Sequence, residues 1–389
     1  MTVVSQVKQS PRKPFVLIAV FILVVLSLGL LVSCGGGGSS RSLFIISRGA
    51  TSVGTYQFSS SGALTLSTNS IATGPNPLGI LITPQQKFAY VADDSGSTLD
   101  GGIYEYSVDK QTGGLSNVNN NPSNTSSTTT ASITINSGIT PVAMATDSKG
   151  TFLFVANRGS NNISVYTIDP TYGFLTEIAG SPFPTGAAAP VGLVARGTNL
   201  FVADAGNGAG GAISVFTFDA TKGTLTAVSG SPFPAGQHLS AVDADASGKF
   251  LYATDDQLNE VLGFSIGSNG QLTAMSTPSY ATGTAPAYIR VNPAGGALYV
   301  ANHGSNDLSV FTFDSSSGAL TAASGSPIKV GTAPACIALD AGNNLMFVGN
   351  SGSANISVFK VSGGTLTAAS GSPFNSSSYS QPIELATPN

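Results

Sequence analysis

Tryptophan is absent from the 389 residues, and cysteine, histidine and charge are scarce: two Cys, two His, and 9 % Asp, Glu, Lys and Arg together. Each shortage closes off a kind of chemistry. One of the two cysteines lies in the N-terminal leader, so Cys336 has no disulfide partner and reads as a small core residue. Two histidines and a spare thiol cannot build a zinc site. The spacing of Asp93, Asp94 and Asp100 matches no standard calcium loop, so neither a metal nor any other cofactor is expected. After residue 40 no segment sustains a helical period over ten residues, which removes helical folds from consideration.

The one long apolar run, Phe15 to Val32, follows a basic stretch with Lys8, Arg12 and Lys13 and precedes "LVSCGGGGSS". A basic start and an apolar core suit export, although a run of this length would also serve as a retained membrane anchor. Leu31-Val32-Ser33-Cys34 resembles the lipobox of bacterial lipoprotein signals. That resemblance implies cleavage before Cys34, lipidation of its thiol, and a place in the cell envelope, on the outer-membrane or periplasmic side and not in the cytoplasm. The division that follows is a signal peptide over 1–33, a flexible Gly/Ser tether over 34–41, and one domain over 42–389. Cleavage leaves twelve of the fifteen basic residues against nineteen acidic ones, a balance of about −7, which argues against nucleic acid as a partner. The expected partners are the membrane, through the anchor, and a small molecule, glycan or envelope protein.

What the chain has in abundance is repetition. "FVANRGSNNISVYTID" (Phe154 to Asp169) returns as "YVANHGSNDLSVFTFD" (Tyr299 to Asp314). A full unit, from Pro286, holds four short apolar or alternating runs: Ala287 to Val291, Ala297 to Ala301, Leu308 to Phe313, and Ala319 to about Ala323. Gly, Asp and Asn punctuate them, as between β-strands. One leucine of the fourth run recurs as Leu64, Leu115, Leu175, Leu225, Leu272, Leu320 and Leu366, which marks seven units. The first run also recurs seven times, beginning at Pro77, Pro141, Pro190, Leu239, Pro286, Pro334 and Pro382, but out of phase. The domain opens on a second-type strand, "SLFIISRG", and closes on an orphan first-type strand, "QPIELATP". Such a mismatch suits a ring fastened by the C-terminal strand joining the N-terminal blade, whereas a linear array would need capping repeats. The predicted fold is an all-β, seven-bladed β-propeller with four antiparallel strands per blade.

These repeats resemble two related groups of propellers: the lactonase type, typified by bacterial 6-phosphogluconolactonase, and surface proteins with YVTN-like repeats. Without tryptophan, the WD dipeptide of WD40 blades is impossible. One interval is ten residues longer than the typical spacing. Its stretch "NVNNNPSNTSSTTTASITIN" (Asn117 to Asn136) reads as a solvated loop between blades 2 and 3. "GNGAGG" (Gly206 to Gly211) matches G-x-G-x-x-G but leads into a strand, so it reads as a hairpin loop rather than a phosphate cradle. The recurrent "GSPFP" reads as an aromatic wedge between blades.

Second runs end on Ser47, Asp93, Asn157, Asp204, Asp255, Asn302 and Asn350, residue types that suit turns. The next position varies: Arg48, Asp94, Arg158, Ala205, Asp256, His303 and Ser351. A repeat protein can assemble an asymmetric site from one such slot. Arg158 or Arg48 would bind a carboxylate or phosphate, His303 would act as general base, and Asp256 would orient it, with Asp94 a further ligand group. A solvated loop rim of balanced charges explains the same residues. Asp243 and Arg290 are charges on first strands where sister blades carry Ala, Val or Leu, so they are expected to pair across a blade interface or to face the channel. Glu384 raises the same question on the closing strand.

Lactonases of this type typically carry a basic Pro-Arg-His-like cluster leading into a first strand and an Asn-Glu pair leaving a second. Here "GTAPAYI" and "GTAPACI" place alanine at those basic positions, while His238 in "GQHLSAV" sits displaced and Asp255-Asp256 replaces Asn-Glu. The sequence alone therefore favours a lipid-anchored binding or interaction module. The alternatives are a lactonase-like hydrolase acting on a lactone or sugar derivative, with a site rebuilt around Arg158, Asp256 and His303, and a structural surface protein.

Overall fold

A computed structural model describes residues 41–94, 101–118, 135–340, 342, 344–376 and 379–388; the leader, the tether up to residue 40, residues 95–100 with Asp100, and residues 119–134 lie outside this set. Among the described residues every regular element is a strand, and the strands form seven small antiparallel sheets. Blade 3 shows the pattern. Pro141–Thr146 pairs with Phe152–Asn157, which pairs with Asn162–Ile168, whose outer edge takes Leu175–Glu177. Second strands such as Phe152–Asn157 are buried throughout, because each blade is sandwiched between two others. Hence their unbroken apolar runs rather than alternation.

The seven first strands stand side by side around a central channel, and the ring closes as expected from the phase mismatch. Ser42–Ser47 takes Pro382–Ala386 as its inner neighbour, with Phe44 opposite Ala386, Ile45 opposite Leu385 and Ile46 opposite Glu384. Apolar clusters fill the spaces between blades rather than one common core. Phe154 of blade 3 meets Phe218 of blade 4 at 5.1 Å between ring centroids, and Phe58 of blade 1 meets Phe347 of blade 7 at 4.8 Å. A second device locks blades in sequence. The turns after third strands place Gly173, Gly223 and Gly318 at φ of 80°, 73° and 73°, each against the ring of Phe88, Phe152 or Phe250 in the preceding blade. A Cβ at any of the three would stand within 2.6 Å of that ring. Glycine is required there on both counts.

The four expected antiparallel strands are present in every blade, with one addition in most of them. Six blades carry a fifth, two-residue strand on the third, such as Phe183–Pro184 or Ile328–Lys329, where the fourth strand resumes after a break. In four blades the break is the Ser-Pro pair of "GSPFP" and its variants. The serine hydroxyl accepts the N–H of Val165, Val215, Val310 or Val358, so the third strand's donor stays satisfied where the ladder lapses. Blade 5 lacks the motif, and Leu272–Ala281 runs on as one bulged strand. One expectation, the placement of the insertion between blades 2 and 3, needs correction. Ile135–Asn136 still pairs with the third strand of blade 2, so the insertion interrupts that blade's outer edge rather than joining blades 2 and 3. "GNGAGG" does join two antiparallel strands, Asn199–Asp204 and Ala212–Phe218.

Candidate functional site

Each second strand ends beside the start of the first strand of its own blade, with Leu239 opposite Asp255 and Pro286 opposite Asn302. The variable slot therefore forms a ring on one face of the propeller. Its backbone repeats closely: the N–H of Arg48, Asp94, Arg158, Ala205, Asp256, His303 and Ser351 donates to Gln381, Asn76, Thr140, Ala189, His238, Ala285 and Ala333 respectively. Every slot residue thus faces the residue that precedes a first strand. Of the seven pairs so defined, one joins a histidine to a carboxylate.

That pair is in blade 5, where His238 Nδ1 lies 2.8 Å from Asp256 Oδ1 with both side chains about one-third exposed. Asp256 therefore orients His238, and not His303 as expected from the sequence. The physical reason is reach along one backbone hydrogen bond, against a full blade width to His303. Asp255 fixes the arrangement from below. It is fully buried, its Oδ2 accepts the N–H groups of Gln237 and His238, and its Oδ1 those of Gln257 and Leu258. Both halves of the dyad are thereby tied to a single carboxylate. His303, Arg158 and Arg48 are exposed, and among the described residues their side chains make no hydrogen bond or ion pair. Asp94 is half-buried beside Asp93.

The remaining strand-end residues serve the turns. Asn157, Asn302 and Asn350 are fully buried, and each donates its amide to an Asn or Asp at the start of the adjacent third strand and to a serine hydroxyl two residues farther along it, as in Asn302 to Asp307 and Ser309, both at 2.9 Å. Burial raises Asp93 to about 6 and Asp204 to about 7, the Ser214 hydroxyl opposing the shift at Asp204.

Below the rim the first strands enclose a channel cavity of about 740 Å³. A bulge at the start of every first strand leaves one residue unpaired, among them Val142, Val191, Ser240, Ala287 and Ala335, which line the upper wall. Farther down lie the charges that the sequence marked as anomalous, Asp243, Arg290 and Glu384, together with Arg196. Asp243 pairs with Arg196 of blade 4 at 3.2 Å and, through its other oxygen, accepts the Val291 N–H of blade 6 at 2.9 Å. Arg290 does not pair with it directly. The Tyr288 hydroxyl donates to Glu384 at 3.0 Å across blade 7, where Cys336 sits between them in the ring. Burial lifts Glu384 to about 7, against the opposing pull of Tyr288 and Arg290.

The sequence profile of the family described as "Lactonase, 7-bladed beta-propeller" matches residues 39–138, 123–192 and 190–373. The chain belongs to the seven-bladed β-propeller lactonase family. Solved structures agree in fold. A candidate 6-phosphogluconolactonase from Bacteroides uniformis superposes with a TM-score of 0.73 at 18 % identity, covering 90 % of this chain and 100 % of its own. A protein from Lactobacillus plantarum gives 0.72 at 19 %, covering 90 % and 99 %. The periplasmic gluconolactonase of Pseudomonas aeruginosa gives 0.67 at 21 %, covering 87 % and 98 %. No curated protein sequence matches the chain.

Within this family frame, the sequence missed the partnership of His238 with Asp256 and the role of Arg196. Reading the slot together with the residue before each first strand would have found the dyad. Arg196 carried no signal, because it ends its strand where a solvent-facing arginine is ordinary.

Proposed function

We propose that this propeller is a lactonase-type hydrolase that opens an unphosphorylated sugar lactone at the rim of blade 5. The observation that carries the reading is the His238–Asp256 pair. With Asp256 accepting the Nδ1 proton, the Nε2 lone pair of His238 is left to act as base. It takes a proton from water as that oxygen attacks the lactone carbonyl; the ring C–O bond then breaks, and the imidazolium returns the proton to the departing ring oxygen. The products are the ring-opened hydroxy acid and the regenerated dyad. Family membership supports the reaction class, and the fold shared with the periplasmic gluconolactonase of Pseudomonas aeruginosa supports sugar lactones. The alanines at Ala287 and Ala335, where the family's basic cluster would stand, argue against a phosphorylated substrate.

The test is proton release by the full-length chain from glucono-1,5-lactone and galactono-1,4-lactone, with the uncatalysed rate subtracted. His238→Ala and Asp256→Asn are each expected to lower turnover by about 10²–10⁴-fold, the usual worth of a positioned base, while His303→Ala and Arg158→Ala keep it. Wild-type rates equal to the uncatalysed reaction, or full activity in His238→Ala, would sink the proposal. The same missing basic cluster favours a second reading, a binding module without turnover, for which ligand affinity without proton release is the mark. In either case we place the chain at the cell envelope through lipid on Cys34. Incorporation of labelled palmitate that persists in Cys34→Ser would refute that placement.

A further inference from the structure

Among the described residues, the channel holds one cation whose hydrogen-bonding capacity the protein leaves unused. Arg196 spends its donors on the carbonyls of Ala195, Ala244 and Asp245 and on Asp243. Asp243 in turn accepts from Arg196, Ala244 N and Val291 N, so this pair is internally satisfied. Glu384 takes the Tyr288 hydroxyl. Arg290 stands apart: its Nε is buried without a partner, and among the described residues its guanidinium makes no hydrogen bond and no ion pair. A buried donor left unmade costs about 1–3 kcal/mol, more when charged, so an acceptor in the cavity would be strongly favoured there.

We propose that Arg290 is the anchor of a second, separate site in the channel, which takes the carboxylate of a small hydroxy acid. The charge count selects a monoanion. Arg196 and Asp243 cancel, and Asp147, the other lining carboxylate, is spent on the N–H groups of Lys149, Thr151 and Phe152, which leaves Arg290 opposite Glu384. The planar fork of a guanidinium matches two carboxylate oxygens. The protonated carboxyl of Glu384 can donate to a ligand hydroxyl, and its other oxygen keeps the Tyr288 bond. The site lies on the order of 15 Å from the rim dyad, since His238 precedes Asp243 by five strand residues at about 3.3 Å each and Arg290 holds the equivalent position in the next blade.

Binding there is linked to protonation. The titratable or charged groups facing Glu384 are Tyr288 and Arg290 from blade 6 and Cys336 from blade 7; the strands Ser42–Ser47, Pro77–Ile82 and Leu345–Asn350 packed against it contribute none. A bound anion favours the neutral carboxyl. As Glu384 titrates near 7, its neutral fraction falls about tenfold between about pH 6 and pH 8, and affinity should fall with it.

The experiment is isothermal titration calorimetry of the full-length protein with sodium D-gluconate, with glucose as the neutral control and inorganic phosphate as the alternative anion. Gluconate is expected to bind at about pH 6, at least tenfold more tightly than glucose or phosphate, and about tenfold more weakly at pH 8. Arg290→Gln should lose at least tenfold, His303→Ala should lose nothing, and Glu384→Gln should bind with no pH dependence. Absence of gluconate binding, an undiminished affinity in Arg290→Gln, or an equal loss in His303→Ala would each overturn the site. If Arg290→Gln does not fold, Glu384→Gln decides: a pH dependence as steep as wild type refutes the proposal. The outcome is independent of lactone turnover, because a chain that opened no lactone would still bind gluconate at Arg290.

Discussion

Replacing Asp255 by alanine removes one side chain and releases four backbone N–H groups. Those of Gln237 and His238 belong to the loop leading into blade 5, and those of Gln257 and Leu258 to the loop after its second strand. The side chain is fully buried, so no solvent competes for these bonds in the folded state. At about 1–1.5 kcal/mol net for each bond, the upper part of the ordinary range for an intramolecular hydrogen bond, the four amount to about 4–6 kcal/mol. Water entering the vacated space returns part of this, leaving an expected loss of about 3–4 kcal/mol, a large share of a typical domain's stability. Urea unfolding followed by far-ultraviolet circular dichroism is the assay, since the chain has no tryptophan to report by fluorescence. His303→Ala, on the same rim but exposed, serves as control and should stay within about 0.5 kcal/mol of wild type. The folded fraction of Asp255→Ala should also lose at least tenfold in lactone turnover, because His238 is no longer held against Asp256. A stability loss below about 1 kcal/mol, or unchanged turnover, would refute the view that one carboxylate organises the dyad.

Three further outcomes follow from the same geometry. Glu384 and Asp204 titrate near 7 and Asp93 near 6, above ordinary carboxyls, so between about pH 4 and pH 7 the folded chain holds protons that the unfolded chain has released; stability falls as pH rises through that window. The thermal midpoint should therefore be higher at about pH 5 than at pH 7.5, Asp204→Asn should reduce the difference, and a midpoint that rises over this range contradicts the assignment. Gly223→Ala should cost about 2–4 kcal/mol, from the left-handed backbone and the displaced Phe152 ring, whereas Gly197→Ala, at φ 59° with open space around it, should cost only the backbone part; equal losses in urea would remove the role of the ring. Cys336 is fully buried, and burial pushes its thiol well above the ordinary range, so in a Cys34→Ser background Ellman's reagent should modify it only in concentrated guanidinium; rapid reaction of that native variant would show the channel wall to be open.

Ring architecture was legible in the sequence because packing repeats. Leu64, Leu115, Leu175, Leu225, Leu272, Leu320 and Leu366 all fall in outer strands, since each must fill an equivalent gap. The short fifth strands were not legible: two residues such as Phe183–Pro184 carry no periodicity, and their pairing depends on a serine hydroxyl standing in for the ladder. At the rim, the slot itself was visible as the position that varies while its surroundings repeat. Its partner was not, because His238 and Asp256 are separated by the whole first hairpin and are brought side by side only by the antiparallel pairing, through the Asp256 N–H to His238 carbonyl bond and the side-chain bond beside it. In the channel, Asp243 and Arg290 occupy equivalent positions in adjacent blades, so the sequence left open both a mutual pair and a place facing the channel; both residues line the channel. The structure gives Asp243 to Arg196, since Arg196 already spans to the carbonyls beside Asp243 and needs only a small reach to its oxygen.

The pairing of Ser42–Ser47 with Pro382–Ala386 ties the beginning of the described fold to its last strand, and Glu384 lies on that strand. During synthesis, Arg290 and Tyr288 emerge long before their counterpart does. Until the final strand docks, blade 1 presents a bare inner edge, of the kind that recruits other chains. An arc of six blades and a fragment would keep the His238–Asp256 pair, which is local to blade 5, yet would lack the wall opposite Arg290. The two candidate sites thus mature on different schedules, one with its own blade and the other only when the last strand seals the circle. A chain cut short before residue 382 would separate them cleanly.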